Sequence, residues 1–281
     1  MSLFDCRKLS DSADRLSNTS EIRRACFSAY LGDHTLACRV LGRFTILIDS
    51  RDRSQGMSLL MHGHWEIALT EQICQLVKPG MRVVDAGACW GYYSLLMSHL
   101  VGHTGRLIAV EPNPRTAKLL QESLLLNGFG KRSEVHACAI GNADLDAQSF
   151  VSRPGRFMNN HLLRSGEIER RPDTTSYLTE VNVRRLDTLV SESQIDLMKV
   201  DVEGSEQSLF TGMPLLLTRS PSLIILLEFN PTRLDSPSLF LDEVHNRFEI
   251  SCLTSGGRVS ASREMLLNST ADAMLICQPK N

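Results

Sequence analysis

The stretch Val83–Tyr93, VVDAGACWGYY, runs four apolar or small positions around an acid, turns through two glycines spaced Gly-x-x-x-Gly, and continues into aromatics. The run MRVVDAG shows no alternation, as a strand buried on both faces should. YYSLLMSHLVG then reads as a helix closed by Gly102. A strand that stops on Asp85 and turns through small residues implies a ligand. A Walker phosphate loop is excluded, because no GK[ST] occurs in the chain. A dinucleotide turn needs G-x-G-x-x-G, and Gly87–Ala88–Cys89–Trp90–Gly91 lacks its middle glycine.

The spacing D-x-G-x-x-x-G suits a nucleoside ligand without phosphates. Gly87 and Gly91 allow close backbone approach, and Asp85 can accept a hydrogen bond or balance a cation. S-adenosylmethionine has these features. The next buried run, GRLIAVEPN, places Glu111 at its carboxyl end, where one carboxylate can hold both ribose hydroxyls. The competing role for Asp85 and Glu111 is capping of helix N-termini, where carboxylates are favoured anyway.

Outward from this core, strand and helix alternate. PRTAKLLQESLLLNG is a helix, SEVHACAIG a third strand, IDLMKVDVEG a fourth, SEQSLFTGM a helix, and PSLIILLEFN the most apolar strand. RFEISCLTSGG and ADAMLICQP read as terminal strands that pair antiparallel. The expected fold is α/β: a Rossmann-like, doubly wound seven-stranded sheet with its last strand antiparallel. Upstream, TLACRVLGRFTILID reads as a hairpin broken at Leu41–Gly42–Arg43, and a short helix is expected around Ser20–Tyr30. HWEIALTEQICQLV is a further helix, stopped at Lys78–Pro79–Gly80, with Trp65 expected to pack it. The chain divides into a 1–60 extension and a 61–281 ligand-binding domain. Residues 141–189 are too long for a structureless connection and are expected to lie over the acceptor side.

HGHWEIALTEQICQLVKPGMRVVDAGACWGYYS, GRLIAVEPNPRTAKLLQESLLLNG, HACAIGN and LMKVDVEGSEQSLFTG together resemble the FkbM-type S-adenosylmethionine-dependent methyltransferases, in the family's order, over roughly residues 36 to 279. The resemblance implies a class I methyltransferase fold and methyl transfer to a hydroxyl of a sugar, glycan, polyketide or similar metabolite. It implies cofactor contacts at Asp85, Gly87, Ala88, Cys89, Gly91 and Glu111, with Asn113 and the backbone around Ala139–Ile140 beside the adenine. The family commonly carries Asn where this chain has Cys89. One of Tyr92 and Tyr93 is expected at the methionine end, and Tyr92 is taken as the contact; the other packs the core.

MKVDVEGSE supplies a second constellation. The two-residue strand period puts Lys199, Asp201 and Glu203 on one side, at the carboxyl end that faces the ligand crevice. Asp201, also a cofactor neighbour, or Glu203 can serve as general base on the acceptor hydroxyl. Alternatively Asp201 with Glu203 or Glu228 can hold a divalent cation that orients the hydroxyl. The bland alternative is a structural Lys199–Glu203 ion pair with Glu206 exposed. His161, beside Asn159 and Asn160, is a further candidate base.

Bulk composition narrows the classes. Net charge is −2, with 42% hydrophobic and 22% charged residues, so a large core can be buried but a polyanion footprint is missing. The nearest basic group, Arg164, Arg170 and Arg171, is interleaved with Glu167 and Glu169 and reads as a solvated face. Neither an N/D-P-P-Y after the fourth strand nor a Pro–Cys pair is present, which opposes a nucleic-acid methyltransferase. The eight cysteines show no C-x-x-C or zinc spacing, and no apolar stretch reaches the roughly 18 residues of a membrane span. The expectation is a cytoplasmic enzyme with a small-molecule acceptor and no nucleic-acid or membrane partner. The rival is a module that binds cofactor without turnover.

Overall fold

In the computed structural model, residues 3–153, 155, 157, 160–163, 177–190 and 194–280 are described. The mixed-charge group Arg164–Arg171 and Asn159 lie outside them.

The chain opens with α1 (Arg15–Arg24) and an antiparallel sheet of β1 (Ser28–Gly32), β2 (Thr35–Val40) and β3 (Phe44–Asp49). The helix expected to run to Tyr30 therefore stops at Arg24. Ala29 and Tyr30 pair across to Ala37 and Leu36 instead, a case of tertiary pairing overriding a weak local preference. Two helices follow, α2 (Gln55–His62) and α3 (Ile67–Leu76), the first of which no sequence signal announced.

The large sheet then builds up through β4 (Arg82–Ala86), α4 (Tyr92–Leu100), β5 (Arg106–Val110), α5 (Pro114–Leu126) and β6 (Ser133–His136). The run SEVHACAIG, expected as one strand, splits in two. β6 stays in the large sheet, whereas β7 (Ala139–Ile140) leaves it to pair parallel with a strand of the 141–189 segment. That segment contributes β8 (Leu145–Ser152), β9 (His161–Leu162) and β10 (Tyr177–Arg184), and with β7 makes a four-stranded sheet in the order β7-β10-β8-β9. The chain continues through α6 (Leu186–Leu189), β11 (Leu197–Val200), α7 (Glu206–Thr211), α8 (Pro214–Arg219), β12 (Ile224–Phe229) and α9 (Pro237–Arg247). It ends with β13 (Phe248–Thr254), β14 (Gly257–Ser260), α10 (Arg263–Leu267) and β15 (Ala273–Pro279).

The large sheet has the order β14-β13-β15-β12-β11-β4-β5-β6. β6, β5, β4, β11 and β12 are parallel, and β15 runs antiparallel between β12 and β13. These include the seven expected strands; β14 is an eighth, added at the edge by a hairpin from β13. Connections from β4 lead to β5 on one side, and the chain returns to place β11 on the other, so the strand order reverses between β4 and β11. Ligand crevices form at such a switch point.

Burial explains the all-apolar strands. One buried cluster joins α3, α4 and α5 to β2 and β3, and it includes Trp90, Tyr92, Leu96, Leu120, Ile46 and Ile48. The other joins β11 and β12 to α7, α8 and α9 through Met198, Ile225, Leu227, Phe229, Phe210 and Phe240. The small N-terminal sheet is bonded to the larger unit through polar groups as well. Leu47 N–H donates to Ser123 Oγ (2.9 Å) and Thr45 N–H to Asn127 Oδ1 (3.0 Å), so α5 satisfies outward backbone groups of β3.

Candidate functional site

A cavity of about 780 Å³, counted with its open mouth, lies at the carboxyl ends of β4, β5 and β11. Its wall includes Gly87, Ala88 and Cys89 after β4, Glu111 after β5, and Lys199, Asp201 and Glu203 from β11 and the turn beyond it. Cys138, Ala139 and Ile140 line it too, together with Phe150, Leu162 and His161 of the second sheet.

Register creates the charged centre. Lys199 lies directly beside Asp85 across the parallel β11–β4 pair, so both side chains leave the same face. Lys199 is 2% exposed, and its Nζ stands 3.1 Å from Asp201 Oδ2, 3.8 Å from Asp85 Oδ1 and 5.4 Å from the Tyr93 ring centre. Burial opposes the ammonium, but Asp201 and Asp85 outweigh it and hold Lys199 above its ordinary range. Asp85 is fully buried. Its Oδ2 accepts from Ser94 Oγ (2.6 Å), while Oδ1 has no hydrogen-bond partner among the described residues. Burial raises its pKa. Asp85 is not part of the cavity wall, so its position is that of a charge partner beneath the floor.

Glu111 uses both oxygens on loop backbone. Cys89 N–H donates to Oε2 (2.9 Å) and Asn113 N–H to Oε1 (2.9 Å). Each oxygen keeps a second lone pair. Burial pushes this carboxyl up to about 7, against the two backbone donors. Asn113 differs from expectation: its side chain accepts from Arg115 and Thr116 N–H as the N-cap of α5 and donates to Ser152 Oγ, and it does not line the cavity.

The two glycines answer to packing. Gly87 has φ +77°, and a Cβ there would collide with the Asp201 carbonyl oxygen, 2.8 Å from its carbonyl carbon. The turns after β4 and β11 can therefore cross closely only if position 87 is glycine. Gly91 has φ +90°, and a Cβ there would meet Leu120 Cδ1 where α4 packs on α5. Between them Cys89 holds φ +48°, a left-handed conformation in which Asn is enriched. Its thiol is raised well above the ordinary range by burial and by Glu111, which makes it a poor nucleophile.

The two tyrosines differ in surroundings. Tyr92 is fully buried with its hydroxyl on Thr70 Oγ1 (3.0 Å), and it is Tyr93 that lines the cavity, donating to Glu66 Oε2 (2.7 Å). Trp65 packs against the core and also lines the cavity. Glu66, at φ +34° between Trp65 and α3, is raised by burial, and its neighbours include Asp201 and Lys199. Strain of this kind concentrates at functional sites.

The acidic side departs from the strand-period reading. β11 ends at Val200, and Glu203 sits in the following turn at φ +53°. It pairs with Arg233 Nη1 (3.0 Å) and not with Lys199. Arg233 also reaches Glu228 Oε2 (2.9 Å) and Asp272 Oδ1 (2.8 Å). Burial, then Asp201, pushes Glu203 up to about 8, and burial with Asp201 and Glu203 raises Glu228 as well. Ligand atoms of Asp201, Glu203 and Glu228 all lie within 4.8 Å of one another. Glu206 is buried rather than exposed, and its Oε1 accepts from Val202 and Gly204 N–H, fixing the turn. His161 sits on β9 opposite Val151, and the adjacent Asn160 accepts from Arg153 N–H (2.8 Å).

A parallel sheet reversing between β4 and β11, with the antiparallel β15 inserted between β12 and β13 and acids at the ends of β4 and β5, defines the class I methyltransferase fold. The chain belongs to the family described as the methyltransferase FkbM domain, whose model matches residues 85–248. Solved structures similar to it include a methyltransferase FkbM from Methylobacillus flagellatus, at 16% identity and TM-score 0.45, covering 81% of this chain and 56% of that one. Others are an O-methyltransferase from Bacillus cereus in complex with SAH (14% identity, 71% and 74% covered, TM-score 0.41) and a SAM-dependent O-methyltransferase from Thermotoga maritima (13%, 78% and 67%, 0.41). The chain thus spans little more than half the length of the Methylobacillus protein. No curated protein matches it. No helix among the described residues is long and apolar enough to cross a membrane.

Proposed function

We propose that this methyltransferase uses S-adenosylmethionine to methylate a hydroxyl oxygen of a small molecule such as a sugar, glycan or polyketide-type metabolite. The observation that carries the reading is one cavity at the ends of β4, β5 and β11 bearing Glu111 and, just past β11, Asp201 against the buried Lys199. The residues fit the cofactor. Glu111 is a buried carboxylate with spare acceptor capacity and a raised pKa, and two ribose hydroxyls donating to it would favour its ionised form.

S-adenosylmethionine supplies an electrophilic methyl on a sulfonium. The protein's share is binding, orientation and proton handling. Ala139, Phe150 and Leu162 pack together as an apolar wall suited to the adenine. Gly87, Ala88 and Cys89 offer backbone to the remainder of the cofactor. Asp201 accepts the proton of the acceptor hydroxyl, and Lys199 balances the charge of Asp201 and Asp85. Trp65 and Tyr93 exclude water, and Trp65 with the carboxyl groups of Asp201 and Glu203 suits a polyol acceptor. In the divalent-cation alternative Asp201, Glu203 and Glu228 are the ligands, but Arg233 already supplies a cation to two of them. In this reading residues 1–60 are an extension, 61–281 the catalytic domain, and 141–189 helps shape the acceptor side. Eight free thiols suit the reducing cytoplasm, and a net charge of −2 opposes nucleic acid as acceptor.

The test is transfer of radiolabelled methyl to a metabolite extract and a panel of hydroxylated compounds, with product identification. Label in a methyl ether of a small molecule is expected. Label in nucleic acid or on an amine, or cofactor binding without transfer to any acceptor, would contradict the proposal.

A further inference from the structure

We infer that Gln55, contributed by the N-terminal extension, recognises a ribose hydroxyl of the cofactor; this rests on the S-adenosylmethionine reading above. Gln55 begins α2, is 5% exposed, and lines the cavity. Its carbonyl Oε1 is buried with no hydrogen-bond partner among the described residues. Most buried polar atoms in folded proteins are paired, so an orphaned amide on a cavity wall calls for a partner that the cavity admits.

The backbone around Gln55 is held firmly enough to present that amide. The Asp52 carboxylate accepts from Ser54 N–H (3.0 Å), Ser54 Oγ (2.6 Å), Gly56 N–H (2.8 Å) and Trp90 Nε1 (2.8 Å), so residues 52–56 wrap one buried acid. Arg53 N–H donates to Gly155 O (3.1 Å), and Phe157 packs edge-on against Trp90 at 4.8 Å, which ties the same turn to the 141–189 segment. Trp90 is the neighbour in sequence of Cys89, whose N–H donates to Glu111. The turn that carries Gln55 is thus tied through Asp52 to Trp90, and Glu111 to the adjoining Cys89, and on this connection the proposal sets Gln55 toward the Glu111 end of the cavity. A carboxamide turned about its soft terminal torsion offers either a carbonyl or an NH₂ to the wall, matching a ribose hydroxyl that both donates and accepts.

The test is calorimetric binding of S-adenosylhomocysteine to wild type, Gln55→Met and Gln55→Ala, repeated with analogues lacking the 2′- or the 3′-hydroxyl and with methylthioadenosine. Both variants leave the Asp52 bonds in place, and an unchanged Tm checks this. We expect both to bind S-adenosylhomocysteine and methylthioadenosine about five- to tenfold more weakly than wild type. The difference should vanish with one of the two deoxy analogues. Wild-type affinity in both variants overturns the inference, as does a loss that survives with both deoxy analogues or is absent for methylthioadenosine, which would place the contact on the amino-acid tail. Failure of wild type itself to bind would instead overturn the cofactor reading, and the inference with it.

Discussion

Asp201→Asn keeps the shape of the side chain and removes its charge. The structure gives this two separable consequences. Lys199 is almost wholly buried, with Asp201 Oδ2 at 3.1 Å and Asp85 Oδ1 at 3.8 Å. Removing one partner of a buried ion pair costs about 3–5 kcal/mol. Asp201 is 19% exposed, Asp85 remains, and an asparagine oxygen still accepts from Nζ, so we expect a smaller loss of roughly 1–3 kcal/mol. Separately, loss of the proton acceptor should slow single-turnover methyl transfer by about 10²-fold or more. Cofactor affinity should change much less, because Glu111, the proposed ribose acceptor, is held by the Cys89 and Asn113 amides and not by the Asp201 carboxylate. Urea unfolding, single-turnover rates with the identified acceptor, and S-adenosylhomocysteine titration read the three quantities independently. A variant that turns over like wild type, whatever its stability, refutes the base assignment and moves the search to His161. Loss of activity on chelation, restored by magnesium or manganese, would instead favour the cation alternative.

Gly87→Ala forces a Cβ into the Asp201 backbone at φ +77°, and we expect a loss of about 4 kcal/mol or more; a variant within about 1 kcal/mol of wild type by urea unfolding would refute the close crossing of the two turns. Glu111→Ala should weaken S-adenosylhomocysteine binding by about 1–3 kcal/mol by calorimetry, whereas an unchanged Kd would leave Glu111 only as a brace for the Cys89 and Asn113 amides. Glu203 is raised from 4.5 to about 8, so the folded state holds its proton more tightly than the unfolded state does. Its stabilising contribution is complete below pH 4.5 and is lost as pH rises through 8. Relative to Glu203→Gln, wild type should therefore lose roughly 2–4 kcal/mol across that window, measured by urea unfolding at several pH values, and a pH-independent difference would contradict the burial argument.

The parallel strands are legible because a strand buried on both faces has to be apolar throughout, as in MRVVDAG, LIAV and LIILLEF. Their parallel pairing follows from the alternation with helices, and the acids at their ends mark the crevice. Pairings between distant segments are not legible. Nothing near Glu203 indicates that Arg233 will take it from Lys199. The departure of Ala139–Ile140 from the large sheet depends on Val183 and Arg184, which offer a second pairing. Tyr92 and Tyr93 are equivalent by composition; adjacent helix positions point about 100° apart, and the docking of α4 with Thr70 decides which one meets the cavity. Gln55 and Trp65 carry no motif, and they reach the wall only because the N-terminal segments fold against β4 and α4. Cys89 departs from an expected Asn. Its left-handed φ gives that Asn a conformational explanation, since what position 89 supplies to Glu111 is its backbone N–H.

If the cavity at the ends of β4, β5 and β11 is built for an adenosyl ligand without phosphates, isothermal titration of the purified chain with S-adenosylmethionine, S-adenosylhomocysteine and NAD tests this most directly. Micromolar binding of the two adenosyl ligands and none of NAD is the predicted result; NAD binding with no response to either adenosyl ligand would contradict it.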